Sequence, residues 1–133
     1  MAIPLPPGYH SVNPYFVVAG VERFIEFLVA VFDGVEVGTR ELTEDGAIDH
    51  ADVMIGDSLV MMSEESEKYL ARPSVSFAYV PDVDSAYARA LAMGSRSILE
   101  PAEQQWGDRI AGILDPFDNR WWIATHLASS SGG

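Results

Sequence analysis

Histidines and carboxylates are the residues of this chain with the widest chemical reach. His50 and Asp52 stand two apart, in Ile48-Asp-His-Ala-Asp-Val53. In an extended strand that spacing turns an imidazole and a carboxylate to the same side. Such a pair can act as acid and base, alone or with His126. Plainer roles are open to the same residues. His50 could hydrogen-bond in a wall, Asp52 could pair with Arg109 or Arg120, and His126 lies near the chain end. His10 falls in a proline-rich stretch and is expected in solvent. Arg109, in Trp106-Gly-Asp-Arg109, suits bidentate pairing with a carboxylate, whether of a ligand or of Asp108, Asp115 or Asp52. Cysteine is absent, which removes disulfides, zinc–thiolate sites and thiol nucleophiles together. No Gly-x-Ser-x-Gly elbow, phosphate-binding loop or dinucleotide fingerprint occurs.

Composition bounds what these residues can serve. The chain has 133 residues, 48% of them hydrophobic and 11% aromatic, enough for one domain with a real core. Lys68 is the only lysine, and the formal charge is −12. Such a surface repels phosphate backbones, so nucleic acid is not an expected partner, while cationic ligands are favoured at low salt. The same acidity also serves solubility. No apolar run reaches the length of a membrane span, and the N-terminus lacks the basic and apolar regions of a signal peptide. A cytoplasmic protein that does not engage a membrane is expected.

Hydrophobic patterning supplies the elements. Residues 1–12 hold Pro4, Pro6, Pro7 and Gly8 and read as an extended arm. Asn13–Val18 reads as a strand. Val21–Phe32 reads as a helix with Val21, Phe24, Ile25, Leu28 and Phe32 on one stripe, ended by Gly34. Strands follow at 35–43, 47–55 and 58–63, separated by Glu44-Asp-Gly46 and Gly56-Asp57. After an acidic linker at 64–72 the order repeats: strand 74–80, helix 83–93 ended by Gly94, strand 97–104 weakened by Pro101 and therefore at an edge, and a closing hairpin. A shift of about 62 residues superposes Tyr15 on Phe77, Val18 on Val80, Val21 on Val83 and Met61 on Trp122. The chain is thus an α+β domain of tandem βαβββ halves, about 13–63 and 74–126, preceded by the arm 1–12.

Strand alternation sorts the side chains. Phe16, Val18, Ala51, Val53, Val60 and Met62 belong under the first helix, and Trp121, Ile123 and Thr125 under the second. The opposite faces carry Asn13, Tyr15, His50, Asp52, Met54 and Met61 in the first half, and Phe77, Tyr79 and Trp122 in the second. With Arg109 these are the candidate ligand-binding residues. Filling of a core by the same aromatics is the competing reading. On the first helix Glu22, Glu26 and Asp33 mark a polar side that nevertheless holds Val29, with Phe27 and Val31 flanking it. This apolar excess predicts a homodimer interface, unless Ile3 and Leu5 of the arm cover it.

The segments Pro14-Tyr-Phe-Val-Val18, His50-Ala-Asp-Val53 with Ile55-Gly-Asp-Ser58, and Trp106-Gly-Asp-Arg109 through Asp115-Pro-Phe117 to Ile123-Ala-Thr-His126 resemble the vicinal oxygen chelate superfamily of glyoxalase and bleomycin-resistance proteins, most nearly its PhnB-like branch. Asp118-Asn119 replaces the Gly-His frequent in that family, and the turn is kept. The resemblance spans almost the whole chain. It implies curled mixed sheets around a cleft, each with its helix on the convex side, and homodimers whose clefts are often completed across subunits.

It also implies where a metal would sit: one ligand on each of four strands, here Asn13, Met61, Val75 and Trp122. Only Asn13 has an oxygen donor, so neither the usual metal nor any other cofactor is expected. The first expectation is therefore a metal-free small-molecule binding protein that sequesters a cationic or aromatic ligand. The alternative is a lyase or dioxygenase of the same superfamily with an unorthodox ligand set that includes His50. Sequence alone leaves open whether any reaction is catalysed.

Overall fold

A computed structural model describes residues 4–127. Ile3, assigned above to a possible cover for the first helix, lies outside the described residues. The chain divides into two compact units at Arg72–Pro73, inside the acidic linker region.

In the first unit the order is β1 (Tyr15–Val18), α1 (Val21–Phe32), β2 (Val35–Leu42), β3 (Ile48–Ile55) and β4 (Ser58–Glu64). The second repeats it with β5 (Val75–Tyr79), α2 (Val83–Ala92), β6 (Arg96–Glu103), β7 (Asp108–Leu114) and β8 (Arg120–His126). Each unit is one mixed four-stranded sheet, ordered β1-β4-β3-β2 and β5-β8-β7-β6. First and last strands run parallel, and the remaining pairs are antiparallel. The repeat holds at residue level. Tyr15 pairs with Met61, and Phe77 with Trp122. The tandem βαβββ fold expected from the sequence is the fold observed.

α1 spans the residues that its apolar period specified, and its buried face includes Val21, Phe24, Ile25, Leu28 and Phe32. Gly20 starts it with φ 106°, a left-handed conformation that glycine reaches without steric cost, and has no side chain to cap the helix. Glu64, at the end of β4, does so instead. Its carboxylate accepts the N–H of Gly20 at 2.7 Å and of Val21 at 3.0 Å. A negative group at a helix N-terminus also meets the positive end of the helix dipole. The second unit solves the same problem from the equivalent position of its last strand, three residues after Trp122 as Glu64 is three after Met61. The Thr125 hydroxyl accepts the Val83 N–H at 2.8 Å and donates to the Val80 carbonyl at 3.0 Å.

Two expectations change, and the edge strand expected around Pro101 is observed. β1 begins at Tyr15, because the Asn13 side chain closes a loop by accepting the His10 N–H at 2.9 Å and donating to the His10 carbonyl at 2.7 Å. β6 continues through Pro101, which falls within a register shift of this edge strand between Leu99 and Ala102, where the missing N–H interrupts no regular ladder. The apolar strip on α1 is not open. Phe27 is 1% exposed and Val31 0%, with the Phe27 ring stacked at 6.5 Å on Phe24 and edge-on at 6.1 Å to Phe32. Only Val29 is exposed, at 44%, and Leu5 of the arm is exposed as well. The helix therefore gives no argument for a dimer.

Glu64→Ala should remove both hydrogen bonds to the start of α1 and destabilise the protein by about 1–2 kcal/mol, the scale of a lost helix cap. Urea unfolding followed by circular dichroism measures it, and an unchanged midpoint would refute this role for Glu64.

Candidate functional site

The sheet face turned away from the helix is the open face of each unit. In the first it carries Tyr15, His50, Asp52, Met54 and Met61, as alternation required. Asp52 is the hub. It accepts His50 Nε2 at 2.8 Å and the Tyr9 hydroxyl at 3.0 Å, not Arg109 or Arg120. Tyr9 comes from the arm, which folds back onto this face. Gly8 lies so close to Met54 that a Cβ there would meet its Cε at 3.3 Å. Burial of the phenol, then the Asp52 carboxylate beside it, raises the Tyr9 pKa. The Tyr15 ring stands 6.1 Å from His50. Beside them is a concavity of about 750 Å³, lined by Tyr15, His50, Tyr69 and the carboxylates of Glu41, Glu44, Asp45, Asp49, Glu64 and Glu65, with no lysine or arginine.

The open face of the second unit is aromatic. β5 turns Val75, Phe77 and Tyr79 outward, all exposed, and the Phe77 and Tyr79 rings lie 5.2 Å apart. Trp122 shares this face, whereas Trp121 is buried on the helix side, where its indole N–H donates to Asp115 at 2.9 Å. Phe77, Leu99, Gln104, Trp106, Ile110 and Trp122 line a concavity of about 390 Å³. Opposite Trp122 stands Gly112. A Cβ there would meet the indole Cζ3 at 2.5 Å, so the ring occupies the space that a side chain would need.

At one end of this face three side chains converge on Asp108, which is 2% exposed. Tyr79 donates its hydroxyl at 2.9 Å and Trp106 its indole N–H at 3.1 Å, both to Oδ2. His126 Nδ1 lies 2.8 Å from Oδ1. The His126 hydrogen bond, reinforced by those of Tyr79 and Trp106, holds the Asp108 carboxyl below the usual carboxylate range against the opposing effect of burial. The Tyr79 phenol is pushed up by the same contact. Asp115 shows the contrary balance: burial raises its pKa although Phe117 N–H, Asn119 N–H and Trp121 all donate to it. It organises the turn between β7 and β8, and Asn119 ties that turn to β5 by accepting the Ser74 N–H at 3.0 Å.

Two expected site residues lie elsewhere. Arg109 points to the helix side of β7, where Asp84 of α2 receives it through two bonds at 2.8 and 2.9 Å. Alternation puts it there, one residue out of phase with Asp108 and Ile110. Asn13 is occupied by His10 in the loop before β1. Conversely, Tyr9, Trp106 and Asp108 had not been placed on the open faces. A signal for Asp108 was present: counting outward from the Asp115–Asn119 turn sets it opposite His126.

Metal donors are scarce. The positions that the family resemblance marks for ligands hold Asn13, here in the loop before β1, with Met61, Val75 and Trp122, a set that does not fit a hard divalent ion. Among the described residues no three His, Cys, Asp or Glu side chains converge to hold one.

The depressed Asp108 pKa has a definite sign. Its contribution to stability is present above the ordinary carboxylate pKa of the unfolded chain and is lost as pH falls through the lower folded value. The melting temperature should therefore drop on the acid side. Asp108→Asn should lower it at neutral pH and flatten that acid limb. Thermal melts followed by tryptophan fluorescence across the acid range test this, and a parallel limb in the variant would contradict it.

Comparison with known proteins agrees with this architecture. Residues 10–123 match the family model described as the Glyoxalase/Bleomycin resistance protein/Dioxygenase superfamily. An uncharacterized protein of Mycobacterium bovis is 31% identical over 132 residues, covering 91% of this chain and 84% of its own. Among solved structures, TioX from Micromonospora sp. ML1 superposes with a TM-score of 0.68 at 25% identity, over 88% of this chain and 100% of that one. The PhnB protein of Bacillus cereus gives 0.68 at 12% identity, over 87% and 99%, which speaks to fold alone. This chain, with its two βαβββ units, belongs to the Glyoxalase/Bleomycin resistance protein/Dioxygenase superfamily.

Proposed function

We propose that the protein is a metal-free binding protein that sequesters a planar, ring-bearing, positively charged small molecule. The concavity of about 390 Å³ in the second unit carries this reading. Its volume falls within the range of small-molecule sites, and its walls are apolar and aromatic with Gln104 as a polar handle. Phe77, Trp106 and Trp122 offer ring faces for stacking and for a cation. The net charge of −12 and the carboxylate-lined concavity of the first unit would raise the local concentration of cations and disfavour anions. The donor chemistry of Asn13, Met61, Val75 and Trp122 supports binding without a metal.

A homodimer is the second part of the proposal. Tyr15, Val75, Phe77, Tyr79 and Trp106 are exposed on the open faces of a single chain. Apolar area of this kind is ordinarily covered in solution, and a second copy is the cover proposed. Among the described residues no helix is long and apolar enough to cross a membrane.

Proflavine, a planar cation, should quench the tryptophan fluorescence saturably, also after dialysis against EDTA. Trp122→Ala should weaken its binding about tenfold or more, the scale of a lost aromatic contact in a pocket. No saturation at millimolar dye, or binding lost with the chelator, would count against the metal-free pocket. Sedimentation velocity at micromolar concentration should give twice the chain mass, and a monomer throughout would remove the dimer.

A further inference from the structure

Each unit places one histidine–aspartate pair with a tyrosine on its open face, and the two pairs are built differently. In the first, His50 reaches Asp52 through Nε2, and its side chain is mostly covered. In the second, His126 reaches Asp108 through Nδ1, and its side chain is 67% exposed. Asp108 is held ionised and can only accept, so Nδ1 carries the proton. Neutral His126 therefore has its lone pair on Nε2, on the side of the ring away from the carboxylate. A buried carboxylate that fixes the tautomer and ring orientation makes the remote nitrogen a better acceptor. Tyr79 and Trp106 fill Asp108 Oδ2, and His126 alone fills Oδ1, which keeps the imidazole at a fixed angle to the carboxylate.

This pair is continuous with the aromatic concavity. Trp106 donates to Asp108 and also lines the wall. The Tyr79 ring packs at a tilt beside Phe77, another wall residue. β8 turns Trp122, Ala124 and His126 to the same face, which sets Trp122 and His126 about 13 Å apart at the rise of a strand.

Resting on the proposed aromatic pocket, we propose that His126 Nε2 accepts an N–H from a primary ammonium at the end of a short arm, while the rings of the same ligand lie on Trp122. The site would then select arylalkylammonium compounds, and do so by hydrogen bonding as well as by charge. The ionised Asp108 behind the imidazole favours a cationic donor over a neutral one. A quaternary ammonium keeps the charge and has no N–H to give.

The test compares 9-(3-aminopropylamino)acridine with its terminal trimethylammonium counterpart, both titrated by tryptophan quenching at fixed ionic strength. Wild-type protein should bind the primary amine about tenfold more tightly, the scale of a charge-assisted hydrogen bond. His126→Phe should bring the two affinities together, since their ratio reads the N–H alone whatever the lost Asp108 contact does to the pocket walls. Equal affinities in wild-type protein overturn the role of His126 and leave the pocket standing. Quenching by neither compound overturns both. The wild-type comparison is decisive even if the variant does not fold.

Discussion

The parallel pairing of the first and last strand in each unit is the constraint from which the rest follows. A parallel partner cannot be reached by a tight turn. The chain must leave the sheet, and each unit does so through a helix directly after its first strand. That helix covers one face, so alternation sends every second residue of β1, β4, β5 and β8 to the other. Tyr15 opposite Met61 and Phe77 opposite Trp122 are the result. The open faces, and whatever they bind, are consequences of strand order.

Carboxylates then hold the joints at which this order could fail. Glu64 closes the start of α1, where Gly20 brings no cap of its own. Asp115 collects three donors and shapes the β7–β8 turn, and Asn119 carries the turn across to β5. Asp108 collects three side chains at the opposite end of the same hairpin. A buried carboxylate is costly unless its oxygens are filled; Asp115 is filled from within its own turn, and Asp108 by Trp106 nearby and by Tyr79 and His126 from other strands. The acidic composition thus has two physical uses. Some carboxylates order the fold, others around the first unit's concavity remain at the surface and set its charge, and Glu64 does both.

The two open faces differ in chemistry although they share a topology. The first is polar and acidic, with His50 and Tyr9 drawn onto Asp52 and the arm folded over it. The second is ring-bearing and apolar, with its polar groups gathered at one end around Asp108. Divergence of two copies of one unit supplies two surfaces without a change of backbone plan.

Much of this was written in the sequence, because it depends on local period. The limits of α1 follow from a stripe of apolar residues at helical spacing. The faces of Trp121 and Trp122 follow from strand alternation, and the repeat follows from element order. What sequence could not settle were matters of cover and partner. Phe27 and Val31 looked like an exposed strip, since a helical wheel shows which side a residue takes but not how much of that side the fold buries. Arg109 could be given several acidic partners, and only tertiary placement brought α2 and Asp84 beneath β7. Tyr9 is separated from Asp52 by 43 residues, and no periodicity links an arm to a strand face. Period determines which way a side chain points. Packing alone determines what it meets there.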